Sequence, residues 1–228
     1  MPSRRGSFLA GARAVVPVLL GVVPFGLVAG AAAVRVGLSG LEAMGLSVIV
    51  FAGASQLAAI ELLGQDAPAL IVVVTALVIN LRMTMYSASI APHFRGLSTR
   101  LRAALAYLLT DQAYALSITR FRTDDDIDRA AYYLGAAAPL WVVWVICTAV
   151  GIVVGAQVPE SLPLGFAVPL TFLALLVPSI TDSPSALAAV VGGSIATFGA
   201  DLPLNLGLIT GAVVGIVAGL VVEAGWKR

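Results

Sequence analysis

The chain has 228 residues, 60% of them hydrophobic and 11% charged, with a formal net charge of +1. Together with a mean hydropathy of +1.02, that composition excludes a soluble globular domain and points to a polytopic membrane protein. A single Cys147 excludes an internal disulfide and a cysteine-based metal cluster, and basic residues scattered over several loops give nucleic-acid binding no support.

The uncharged stretches set the element lengths. Those between Arg13 and Arg35, Glu160 and Asp182, and Asp201 and Glu223 each hold 21 residues, and about 20 suffice to cross a bilayer core. They are apolar all round and lack strand alternation, which predicts helices. The expected architecture is an all-α polytopic membrane protein in one domain, residues 1–228. About seven helical segments are expected, some broken or re-entrant.

Arg4 and Arg5 precede an apolar run too long and too free of a cleavage signature for a signal peptide, so it is read as a retained first span over Ala14 to Val34. It holds Pro17, Pro24 and Gly26-x-x-x-Gly30. Small residues four apart let helix backbones approach, and a proline frees a carbonyl that a neighbour or a bound ammonium can use. Pro24 is therefore a candidate site residue. Ser39 followed by Glu42 is a capping box that starts span two, Ala43 to Leu63. Near its middle, Ser55-Gln56 sits among small residues, with Ala52 and Ala59 on the Gln56 face. The amide can bond a substrate or brace a neighbouring helix.

After the turn Gln65-Asp66-Ala67-Pro68, span three runs from Ala69 into Asn80-Leu81-Arg82-Met83-Thr84-Met85-Tyr86-Ser87-Ala88-Ser89. A guanidinium at mid-span costs about 2.5–3.5 kcal/mol on insertion scales. In a helix, Arg82, Tyr86 and Ser89 share one face while Asn80, Thr84 and Ser87 share nearly the opposite one. Such a segment is enclosed by protein, lines a wet cavity or unwinds; alternatively Arg82 snorkels to the interface. Ala91 to Arg102 is a basic loop that attracts anionic headgroups and contains the lone His93. The short apolar segment Ala103 to Ile118 is broken by Thr110-Asp111-Gln112. Asp111 is either the partner of Arg82 or an interfacial acid. Thr119 to Arg129 mixes both charge signs and reads as a water-exposed loop.

The second half repeats this style. Ala130 to Gln157 holds Pro139, Trp141, Trp144 and Gly151-x-x-x-Gly155. Pro159 to Ile180 follows, then Asp182-Ser183-Pro184 opens Ala186 to Gly199, and Gly211, Gly215 and Gly219 form a small-residue seam on the last span. A weak internal repeat links the turn at Gln65 to Pro68 with that at Thr181 to Pro184. Counting every segment as a crossing gives eight and strands Arg95, Arg100 and Arg102 outside, against the positive-inside tendency. Making one of spans two or three, and also Ala103 to Ile118, re-entrant or broken removes the conflict.

Pro24-Phe25-Gly26, Phe51-Ala52-Gly53-Ala54-Ser55-Gln56, Asn80-Leu81-Arg82 through Tyr86-Ser87-Ala88-Ser89-Ile90-Ala91-Pro92-His93, and Leu108-Leu109-Thr110-Asp111 together resemble the AzlC family, large subunits of two-component branched-chain amino acid exporters. The resemblance implies export of valine, leucine, isoleucine and methionine across the cytoplasmic membrane, and a small hydrophobic AzlD-type partner subunit. Two positions depart from the family pattern: Met83, where histidine commonly follows Asn-Leu-Arg, and Gln112, where glutamate often follows Thr-Asp. Both remove a titratable group, so the resemblance does not carry a proton-coupling role to these positions.

For a zwitterionic amino acid, Arg82, Asn80 and Gln56 are the expected partners of the carboxylate, and Ser55 is a further candidate substrate-binding residue. Asp111 or carbonyls near Pro24 would take the ammonium, with Tyr86 on the Arg82 face. No cofactor is expected; coupling to an ion gradient is left open, with no ion named by the sequence. The rivals are a channel or a non-transporting scaffold subunit. A channel presents continuous polar rings, whereas these polar groups cluster at a few broken points. An intramembrane serine protease would need a base within reach of Ser55, and His93 lies beyond the next span.

Overall fold

The computed structural model describes residues 3–124, 126–157, 180, 182–200, 202 and 206–226, and among them every regular element is helical. Helix α1 spans Arg4–Arg35 and α2 spans Gly40–Gly45, which continues into a π-helical turn over Leu46–Val50. Helix α3 spans Gly53–Gly64 and α4 Ala69–Ile90, extended by a 3-10 turn over Ala91–Phe94. Then come α5 (Thr99–Tyr107), α6 (Asp111–Thr123), α7 (Arg129–Gly155), α8 (Ser183–Phe198) and α9 (Leu206–Trp226). The span expected from Pro159 to Ile180 lies, Ile180 apart, outside the described residues. The chain falls into two compact units, Met1–Val168 and Pro169–Arg228.

In the first unit, α1 and α7 lie side by side and parallel. Ser7 Oγ accepts from the Asp128 amide at one end, and Arg4 meets the Asp128 carboxylate at 3.7 Å. Glycines set the separation along the pair. A Cβ at Gly11 or Gly30 would fall on a carbonyl of α7, and one at Gly135 or Gly151 on a carbonyl of α1. Both Gly-x-x-x-Gly motifs thus serve close backbone packing. Pro17 and Pro24 do not interrupt α1, which runs unbroken through both.

Helices α1, α7 and the segment Ala69–Phe94 are long and apolar enough to cross a membrane. The remaining described helices of this unit form two hairpins that each enter and leave by the same end. In the first, Gly40 lies against Ile152 near the C-terminal end of α7, and Gly53 lies against Phe25 and Trp144 midway along α1 and α7. Gly64 then comes back to Val36, at the end where the hairpin began. In the second, Tyr133 Oη, near the start of α7, donates to the Leu105 carbonyl, and Trp141 Nε1, at its middle, donates to Tyr107 Oη. Helix α6 returns, so that Phe121 packs on Phe94 and Tyr132 and lies under the Arg129 guanidinium.

Span two is therefore not a crossing, and neither is Ala103 to Ile118. The two hairpins reach the middle of the unit from opposite ends. This resolves the topology conflict, because Arg95, Arg100 and Arg102 fall at the same end as Arg4, Arg120, Arg122 and Arg129. Part of the loop expected over Thr119 to Arg129 is helical: α6 runs to Thr123, Arg120 pairs with Asp124 at 2.6 Å, and Asp128 caps α7. Charged side chains here satisfy helix ends rather than dissolve the helix.

In the second unit, α8 begins at Asp182, whose carboxylate accepts from the Ser185 amide at 2.8 Å. The glycines of α9 pack on α8, with Gly211 against Gly192 and Ala196, and Gly215 and Gly219 against Ala188.

Candidate functional site

The two hairpin tips meet beside the centre of α4. The first tip is a helix break. After the π-helical turn, Phe51 takes a left-handed conformation (φ 40°) and Ala52 is extended before α3 begins at Gly53. A bulky residue at positive φ is a strained position, costing on the order of 1–3 kcal/mol, and π turns recur at functional sites. Ala52 offers no capping side chain, so the first-turn amides of α3 point their partial positive charge into the middle of the unit. Gln56 and Ser47 are both fully buried and tie the two arms together, Gln56 Nε2 donating to Ser47 Oγ at 2.8 Å.

The second tip comprises Leu108, Leu109 and Thr110. Thr110 caps α6 through its hydroxyl, and Asp111 is the first residue of that helix, where a carboxylate is favoured by the helix dipole. Tyr107 joins the tips: its hydroxyl donates to the Val48 carbonyl at 2.5 Å, and its ring lies 6.0 Å from that of Phe51.

Helix α4 stays helical through the polar stretch and serves both tips. Asn80 Nδ2 donates to Ser55 Oγ at 3.0 Å on the first hairpin, and Arg82 meets Asp111 at 3.0 Å on the second. One turn on, the ring of Tyr86 stacks on Tyr114 at 4.4 Å, and Tyr114 Oη donates to Ser89 Oγ. The face carrying Arg82, Tyr86 and Ser89 is thus the face toward α6, while Asn80 faces α3. Arg82 and Asp111 each keep about a third of their side-chain surface exposed (33% and 35%), so the pair lies open on one side. Gln56 Oε1, Asn80 Oδ1 and Arg82 Nε are buried with no hydrogen-bond partner among the described residues.

Of the seven residues singled out from sequence, Ser55, Asn80, Arg82, Tyr86 and Asp111 form a connected set around α4. Gln56 lies within the first hairpin as its brace. Pro24 is apart from the set, on the exposed side of α1. Tyr107 and Trp141 belong to the site and were not singled out for it; the signal was the two broken segments, whose tips require partners. No grouping of His, Cys, Asp and Glu suited to a metal ion occurs among the described residues.

Among the described residues, three helices long and apolar enough to cross a membrane, two opposed re-entrant hairpins and an ion pair where they meet define an integral membrane protein built around a polar centre. The family model described as AzlC protein matches residues 17–158, and the chain belongs to that family. The matched region holds both hairpins, α4, the whole of α7 and the second half of α1.

The chain is 26% identical over 221 residues to the inner membrane protein YgaZ of Escherichia coli, covering 92% of this chain and 90% of that one. It is 31% identical over 204 residues to an uncharacterized membrane protein of Archaeoglobus fulgidus, covering 87% and 88%. A Helicobacter pylori membrane protein is 29% identical over 142 residues, 62% of this chain and 61% of its own. No solved structure matches.

Proposed function

We propose that the chain is the large subunit of a secondary transporter that exports branched-chain amino acids across the cytoplasmic membrane. It would act with a small hydrophobic AzlD-type subunit and be driven by an ion gradient. The observation that carries this reading is the meeting of two half-helix N-termini, α3 and α6, with the Arg82–Asp111 pair at the centre of α4. Half-helix N-termini at mid-membrane suit an anionic substrate group, as in transporters built on broken helices. Arg82, Asn80 and the α3 amides supply donors for a carboxylate, and Asp111 supplies the acceptor for an ammonium.

A zwitterion that inserts between Arg82 and Asp111 exchanges one ion pair for two, so the site need not hold a naked charge at any stage. The hairpins enter from opposite ends, so each can open the centre to one side. The basic end, with Arg95, Arg100 and Arg102, would face the cytoplasm.

Efflux of radiolabelled leucine from cells expressing the chain with its partner subunit tests the reading. Efflux above that of empty cells, lost in Arg82→Ala and Asn80→Ala at equal expression, is the expected result. Unchanged efflux in both variants removes these residues from the site, and absence of efflux in the parent overturns the reading.

A further inference from the structure

A cavity of about 260 Å³ lies between the second half of α4, helix α5 and the start of α7. Two of its lining residues lie on different parts of the second hairpin. Arg102 lies toward the basic end of the unit, and Leu109 lies in the tip of the second hairpin, two residues before Asp111. Between them the walls are Ile90, Phe94, Leu105 and Ala106, with the Ser87 hydroxyl and Tyr133 beside them. The Tyr133 hydroxyl is spent on the Leu105 carbonyl, so the polar surface left inside is small. Among the described residues no carboxylate lines the cavity, and the sequence has none from Phe94 to Thr110.

We propose that this cavity is the vestibule by which substrate reaches the hairpin tips from the arginine-rich end, and that its lining selects an aliphatic side chain. The inference rests on the transport reading above and adds a route and a selectivity to it. The volume is just below the roughly 300–1,000 Å³ of pockets for drug-sized ligands, which suits a free amino acid and leaves little room for a peptide. Arg102 at the outer end attracts the carboxylate, while a lysine or arginine side chain would meet apolar walls, a guanidinium and no acid. A leucine side chain meets Leu105, Ile90 and Leu109 and gives up only apolar surface to water. The ordinary alternative is an annular lipid acyl chain lying in the same groove, and it makes a different prediction.

The test uses the full chain carrying Cys147→Ala and Ala106→Cys, reconstituted with its partner subunit in proteoliposomes. Cys147 is buried and outside the site, and Ala106 is an exposed residue on the cavity wall. The rate of modification of residue 106 by a membrane-impermeant maleimide is followed with L-leucine or L-lysine present. Several-fold slowing by leucine and none by lysine is expected. A rate indifferent to leucine in protein that still transports it overturns the vestibule and leaves the transport reading standing, as does a rate that responds only to lipid composition. Equal protection by lysine overturns the selectivity.

A second variant, Ala106→Phe, fills the cavity without touching Arg82 or Asp111. Leucine flux is expected to fall about tenfold while alanine flux falls less, and unchanged leucine flux sinks the proposal. Failure of the parent to move any amino acid instead overturns the transport reading.

Discussion

The phenol of Tyr107 donates to the carbonyl of Val48, a residue 59 positions away on the opposing hairpin. This contact ties the tip of one re-entrant segment to the π-helical turn that precedes the break in the other. Trp141 Nε1 holds the same oxygen from α7 at 2.8 Å, so the latch is anchored to a crossing helix.

Tyr107→Phe removes the donor and leaves Trp141 without its acceptor. A lost hydrogen bond of this kind costs about 0.5–1.5 kcal/mol, so the protein should still fold and show a slightly lower melting temperature in detergent. The larger expected effect is on flux, because the tips lose their common tether. A flux equal to the parent's would show that the latch is only structural.

Arg82 and Asp111 should behave as a coupled pair. Removing one partner of a buried pair costs about 3–5 kcal/mol, and the exposure of a third of each side chain makes this site less costly than that. Arg82→Ala and Asp111→Asn are each expected to lower thermal stability, and the double variant is expected to lose less than the sum. A double-mutant cycle on melting temperatures checks it; strict additivity would mean that the two do not interact in the membrane.

Glycines of the α1–α7 pair divide into two kinds. Gly151→Leu drives a side chain into the Leu27 carbonyl and Gly30→Leu into that of Thr148, whereas a Cβ at Gly21 meets nothing within 4 Å. Overpacking of this type costs about 1–3 kcal/mol or more. Gly151→Leu should therefore abolish a monodisperse chromatography peak, and Gly21→Ala should retain or raise the melting temperature through the better helix propensity of alanine.

The Asp182 cap brings a pH dependence to α8. Hydrogen bonds from Ser185 hold the Asp182 carboxyl below its ordinary value of 3.8. A carboxyl depressed in the folded state stabilises it fully above that ordinary value, and the contribution fades as pH falls through the lowered one. Melting measured from pH 6 to pH 3 should drop less steeply in Asp182→Asn than in the parent, and parallel curves would refute the cap's contribution.

Much of the centre was legible in the sequence because charge inside a hydrophobic run is costly. Arg82 demanded a partner, and Asp111 was the acid in an apolar segment too short to cross. The hairpins were half legible. The break in Ala103 to Ile118 was marked by Thr110 and Asp111, which are good helix-starting residues. The break at Phe51-Ala52 carries no proline and no capping side chain, so nothing local marks it. Its left-handed Phe51 is held by packing against Tyr107, which only the folded chain supplies.

The converse holds in α1. Pro17 and Pro24 each free a carbonyl in the sequence, yet the helix runs unbroken through both. Gln56 was ambiguous for a similar reason, since its partner Ser47 lies across a turn that the sequence does not announce.

The glycine-spaced contact between α1 and α7 also constrains how such a protein can move. Backbone is seated on backbone at both ends of the pair, so sliding one helix past the other by a single residue would push side chains into carbonyls at Gly11, Gly30, Gly135 and Gly151 together. The pair is a stator. On the transport reading proposed above, whatever alternates must be hung from it, and the parts short enough to swing are the two hairpins, with Tyr107 as the clasp between them.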